Sequence, residues 1–227
     1  MRNKGEPFFF YMTIGLILVV VSGFSVLAFQ RPGGPLATPL YLHVHGGIFL
    51  SWFLLLAVQS RLASRGTLDL HRKLGRLSIV LACIIVLVGY FVIRMAVHKP
   101  GFTIAGRPAV FGAVFPILDM ITFSIAYSLG ILFRRRMHAH KRFMLISAVM
   151  MIDPAVARLV LGFGGPGSLI LILELSIFVA MLTYDVARLQ RPHWATLVGL
   201  GLYLGAFVVK RNVETIVWWQ SFMSWAF

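Results

Sequence analysis

Runs of about 20 apolar residues recur along this 227-residue chain, and about 20 such residues are what an α-helix needs to cross the hydrocarbon core of a bilayer. The runs fall at about 8–30, 40–60, 77–97, 109–133, 143–163, 168–187 and 194–209, the last being short. Lipid leaves no water for unpaired backbone groups, so a spanning segment of this kind must close its own hydrogen bonds as a helix. The reading is an all-α, polytopic membrane helix bundle: seven transmembrane helices forming a single transmembrane domain over residues 1–227, without an internal repeat. The chain is 59% hydrophobic and 12% charged, against about 45–50% apolar and about 25% charged for a soluble domain. That excludes an ordinary soluble enzyme and a disordered chain. A single cysteine, Cys83, excludes an internal disulfide and a cysteine-based zinc site.

The two ends of the chain call for separate readings. The first run follows Arg2 and Lys4 and is longer than a signal-peptide core, so it reads as a retained span. It stops at Arg31-Pro32-Gly33-Gly34-Pro35. Residues 213–227 carry Trp218, Trp219, Phe222, Trp225 and Phe227. Tryptophan favours the headgroup level, so this tail reads as an interfacial aromatic helix.

The formal charge is +14, from 21 Lys and Arg against 7 Asp and Glu. In a membrane protein such an excess points to loops beside anionic lipid headgroups rather than to nucleic acid. With the N-terminus inside, Arg2, Lys4, Arg61, Arg65, Arg72, Lys73, Arg76, Arg134, Arg135, Arg136, Lys141, Arg142, Arg188 and Arg191 lie on the inner side. Arg31, Arg94, Lys99, Arg107, Arg158, Lys210 and Arg211 lie on the outer side. The positive-inside bias then gives a cytoplasmic N-terminus and a periplasmic C-terminus in a bacterial inner membrane.

Ionisable groups within spans cost at least about 2.5–3.5 kcal/mol each, so they face protein or water and often mark function. Residues seven apart lie on nearly one line of a helix. His45, Trp52 and Gln59 form such a line. So do Arg76, Cys83, Tyr90 and Arg94; His140, Ser147, Pro154 and Arg158; and Glu174, Met181 and Asp185. The fourth run adds Asp119 and Thr122. The simplest arrangement turns every stripe inward. By depth the groups divide in two. The outer half holds His43, His45, Arg94, His98, Asp119, Asp153, Arg158 and Glu174, with Asp153-Pro154 breaking the fifth helix. This predicts an outer-half polar cavity containing arginine–carboxylate pairs, which would take a small polar or lipidic ligand, lined also by Trp52 and Gln59. The inner face holds His71, His138, His140, His193 and Asp185. His71, His140, His193 and Asp185 on one plane are a ligand set that a transition metal accepts. A b-type haem needs paired histidines on different helices: His71 with His140 or His193 inside, or His45 with His98 outside.

Several stretches together carry a resemblance: Leu42-His43-Val44-His45-Gly46-Gly47; Trp52 with Gln59; Leu70-His71-Arg72-Lys73-Leu74-Gly75; His140-Lys141-Arg142-Phe143-Met144; Arg158; and Tyr184-Asp185 followed by Pro192-His193-Trp194. Over residues 40–215 the chain resembles an uncharacterised family of bacterial multi-helix integral membrane proteins, a domain of unknown function. It departs from that pattern at Trp194, where the family has proline. A weaker likeness is to b-type cytochromes and ferric reductases. The resemblance implies the fold and the choice of polar positions rather than a reaction. Three functions follow as expectations. The first is metal or b-type haem binding for membrane electron transfer. The second is binding or transport of a small ligand in the outer half. The third is service as an accessory subunit of a membrane complex, with the aromatic tail against a membrane protein partner.

Overall fold

The computed structural model describes residues 7–30 and 32–227; Arg2, Lys4 and Arg31 of the charge count lie outside them. Helix α1 runs Phe8–Gln30, α2 Leu40–Arg65 and α3 Leu68–Val97. Next come α4, Ala109–Gly112, and α5, Val114–Leu132, which together make one candidate span. Helices α6, Met137–Val149, and α7, Asp153–Gly162, follow, then α8, Ser168–Leu189, α9, Trp194–Asn212, and α10, Trp219–Ala226. Among the described residues six helices are long and apolar enough to cross a membrane, and a seventh candidate span results if the bent pair α6–α7 counts as one. The apolar runs thus mark the helix cores. The helices outrun them at polar ends, with α2 continuing to Arg65 and α3 beginning at Leu68 instead of residue 77. The all-α expectation misses one small hairpin, Thr103–Ile104 against Arg107–Pro108. Its two turn residues, Ala105 and Gly106, both have positive φ, as a two-residue hairpin turn of the I′ type requires.

The pair α6–α7 is the centre of the bundle. Every residue from Leu145 to Ile152 is buried, as are Arg142 and Phe143, and α6 packs on α1, α2, α5 and α9. A helix covered on all sides belongs in a core. The pair bends by 45° where Pro154 cannot continue the ladder. Met151 and Ile152 instead donate to carbonyls three residues back, at 3.1 and 3.3 Å. Helix α7 then starts with Asp153 and Pro154 in its first turn, a favourable place for both. Helix α1 lies along α7. Gly23 makes that approach possible, because a Cβ there would stand 2.2 Å from the Ala155 carbonyl oxygen. Small residues bring apolar helices together in this way where lipid offers no hydrophobic drive for packing.

Outside this core, large apolar side chains such as Leu87, Val179 and Val208 stay exposed. One stripe also runs contrary to expectation. In α3 the buried line is Ser78, Ala82, Ile85, Gly89 and Ile93, while Arg76, Cys83 and Arg94 are exposed. The small residues pack inward, so the polar line a third of a turn away is left outside. The tail folds back on the bundle. The Trp219 indole donates to the Val110 carbonyl at 2.8 Å, Tyr90 donates to the Ala226 carbonyl at 2.9 Å, and Phe227 stacks on Tyr90. A second, smaller core of Ile93, Val114, Ile117, Val213, Trp219 and Met223 results.

Candidate functional sites at the two ends of the bundle

Ring contacts and ion pairs gather the turns α2–α3, α5–α6 and α8–α9 at one end, here the histidine end, and the tail marks the other. At the histidine end α3 begins with His71 in its first turns and α6 with His140 likewise. Their rings meet edge to face, with centroids 6.3 Å apart. The His71 Nδ1 lies 3.3 Å from the Gln59 carbonyl of α2, and the His140 Nδ1 lies 2.8 Å from the Gly130 carbonyl of α5. A carbonyl can only accept, so each Nδ1 carries a hydrogen, which in a neutral ring leaves the lone pair on Nε2. Gln59 also donates through Nε2 to the His71 carbonyl at 3.1 Å, which ties α2 to α3.

The other two members of the expected ligand set are engaged elsewhere. Asp185, fully buried, receives Arg142 through Nε at 2.8 Å and through Nη2, the His193 backbone N–H at 3.0 Å, and the Thr196 hydroxyl at 2.6 Å. His193 is the N-cap of α9, where its Nδ1 accepts from the Ala195 N–H at 3.1 Å. Its ring lies 6.5 Å from that of His138. Among the described residues no three His, Cys, Asp or Glu side chains gather as a metal ion would need. The four expected ligands therefore reduce to one pair in ring contact, His71 with His140. Burial, and next the Arg142 guanidinium, pull the His193 imidazole below its ordinary value, while the Asp185 carboxylate opposes them.

Toward the tail end the expected carboxylates do come together, around a cation other than the arginines. Lys210 of α9, itself buried, donates to Asp119 of α5 and to Asp153 of α7, both at 2.5 Å. Glu174 of α8, 3% exposed, accepts from the Tyr203 hydroxyl of α9 at 2.6 Å. Arg158 lies over the Phe24 ring at 4.7 Å and donates to the Pro154 carbonyl at 2.6 Å. Arg94 is exposed, 3.5 Å from the Tyr90 hydroxyl. His98 is exposed as well, with Nδ1 on the Arg94 carbonyl at 2.9 Å, whereas His45 packs on Phe49 inside the bundle. Among the described residues five buried side-chain polar atoms have no hydrogen-bond partner: His45 Nδ1, Trp52 Nε1, Gln59 Oε1, Asp119 Oδ2 and Glu174 Oε1. The first three follow the α2 stripe, where Trp52 stands edge-on to Phe123 and Tyr127.

Two residues that organise these sites, Arg142 and Lys210, read in the sequence as loop charges. For Lys210 a signal was present: Thr196, Tyr203 and Lys210 recur every seven residues, and each donates to a carboxylate.

The fold places the chain in a broad class, a helical protein with several candidate membrane spans. No family model, curated protein or solved structure matches it.

Proposed function

We propose that the chain is an integral membrane protein that binds a transition metal or a b-type haem between His71 and His140 and serves membrane electron transfer. The supporting observation is the pair itself. Two imidazoles from different helices stand 6.3 Å apart, about the reach of two ligand bonds of roughly 2 Å plus the ring radii. Each has its Nδ1–H on a backbone carbonyl, the outer-shell partner that usually fixes a ligating histidine's tautomer and raises its basicity. Without a second cysteine, only a non-covalent haem suits the chain.

In this reading all seven spans cross, with α6–α7 as the broken one. The N-terminus is cytoplasmic, as the basic turns at the histidine end favour, and the membrane is a bacterial inner membrane. Helix α10 lies at the opposite headgroup layer. The exposure of Trp218, Trp225 and Val217 there supports that placement, and so does the preference of tryptophan for headgroups.

The test is an absorbance spectrum with elemental analysis of the purified chain. A Soret band or a stoichiometric metal is expected. His71→Ala and His140→Ala should each abolish it, and His98→Ala should leave it unchanged. A chain that carries neither haem nor metal ends the proposal.

A further inference from the structure

The carboxylates at the tail end are out of balance with their cations. Around Glu174 stand Asp153 of α7, Lys210 and Tyr203 of α9 and Asp119 of α5, while Arg158 of α7 faces His45 of α2. Among the described residues, three carboxylates against Lys210 leave two negative charges in excess when every group is ionised. Glu174 and Asp119 are both more than nine-tenths buried. Each also has one oxygen, Oε1 and Oδ2 respectively, that meets no donor. A buried acceptor without a donor is costly, and more so when charged. The carboxylates come from three different helices, α5, α7 and α8, and one of these starts at the break after Ile152. Interrupted helices at membrane depth are tolerated where they line a site.

We propose that Glu174, Asp119, Asp153 and Lys210 form a proton-binding site that holds one exchangeable proton within the bundle. The proton comes from water and binds a carboxylate oxygen, giving a carboxylic acid, and no electron moves. On Glu174 Oε1 or Asp119 Oδ2 it turns an unpartnered acceptor into a donor and lowers the excess charge. Lys210 holds Asp119 and Asp153 together, so the three carboxyl groups act as one unit with shared protonation. Asp153 is the least buried of them, with 18% of its side chain exposed, and is the point of exchange with solvent. The Tyr203 hydroxyl orients Glu174 by donating to its other oxygen. The site is independent of the histidine pair and binds its proton whether or not a metal or haem is present.

The test is infrared spectroscopy of the full chain reconstituted in lipid at neutral pH, with and without deuterium exchange. A protonated-carboxyl stretch that shifts in deuterated buffer is expected. It should disappear in Glu174→Gln or in Asp119→Asn and move in frequency in Tyr203→Phe. Lys210→Met removes one cation, so a second proton should enter and the band should grow about twofold. Absence of the band from the wild-type protein overturns the proposal. So does a band that survives unchanged in Glu174→Gln, Asp119→Asn and Asp153→Asn. If Glu174→Gln fails to fold, the wild-type band and its response to Lys210→Met decide alone. Failure of the band leaves the histidine proposal standing, because its readout is a chromophore or metal.

Discussion

Helix α9 meets buried carboxylates at both ends of the bundle, and the two encounters differ. At the histidine end Asp185 faces one guanidinium, one hydroxyl and one backbone N–H, so both its oxygens are filled and the charge is matched. Toward the tail end one ammonium is divided between two aspartates, a third carboxylate stands beside them, and two oxygens lack donors. Evolution can bury a fully paired ion pair purely to hold helices in register. An underpaired group inside a membrane has no such use, because intramembrane charges are expensive unless they act. On the proposal of a proton site, the contrast makes Arg142–Asp185 a structural pair and the Lys210 cluster the working one.

That assignment is most easily broken at Arg142. Arg142→Met leaves Asp185 buried with its charge uncompensated, which typically costs about 3–5 kcal/mol. Equilibrium unfolding in mixed micelles should show a loss of that size. The cofactor should also weaken, since His140 lies two residues before Arg142 on the same helix. A loss under about 1 kcal/mol, the range of an exposed pair, would mean that Asp185 is not held as a structural partner.

Lys210→Met sharpens the same comparison from the other side. Its cost should be smaller, about 1–3 kcal/mol, the range for stranding a polar group that can still find compensation. The compensation is a proton, which the carboxylates around Lys210 can accept and which Asp185, already filled, has less need of. The same unfolding assay measures it. A Lys210→Met variant as unstable as Arg142→Met would erase the distinction between the two sites.

The sequence carried the fold further than it carried the sites, for a physical reason. Apolar run length follows from bilayer thickness, so the segments that become α1 to α9 could be read directly. The Asp153-Pro154 break follows from proline's missing N–H. Stripes seven residues apart placed His45, Trp52, Glu174 and Asp185 on inward faces. They failed for α3, where the small residues Ser78, Ala82 and Gly89 took the inward face. Pairing was hidden because a cation in a basic turn and a cation reaching back into the bundle have the same sequence. Arg142 stands in the run His138 to Arg142 and looks like a headgroup contact, yet it is 1% exposed. That His71, His140 and His193 each stand at or just before the start of a helix was legible from the sequence. Which of them face each other was not, because that depends on helix rotation, and His193 turned out to cap α9.

The smallest expected effect probes the end called structural. His193 donates its backbone N–H to Asp185 and accepts the Ala195 N–H at Nδ1, so it must be unprotonated at Nδ1 to cap the helix. Its imidazole titrates below the ordinary value of 6.5 in the fold. The unfolded chain therefore binds this proton more readily, and stability rises with pH across that interval. The contribution of His193 should be fully present above about 6.5 and should be lost as the pH falls through the folded value. Asparagine at a helix N-cap also offers an acceptor but does not titrate there. His193→Asn should thus keep the cap at neutral pH and flatten the acid side of the stability profile. Hydrogen exchange at the Ala195 amide gives the local readout: faster on acidification in the wild-type protein relative to the variant. Identical acid slopes in the two proteins would mean that the Asp185 end owes nothing to this imidazole, and its stability would then rest on the Arg142 pair and Thr196 alone.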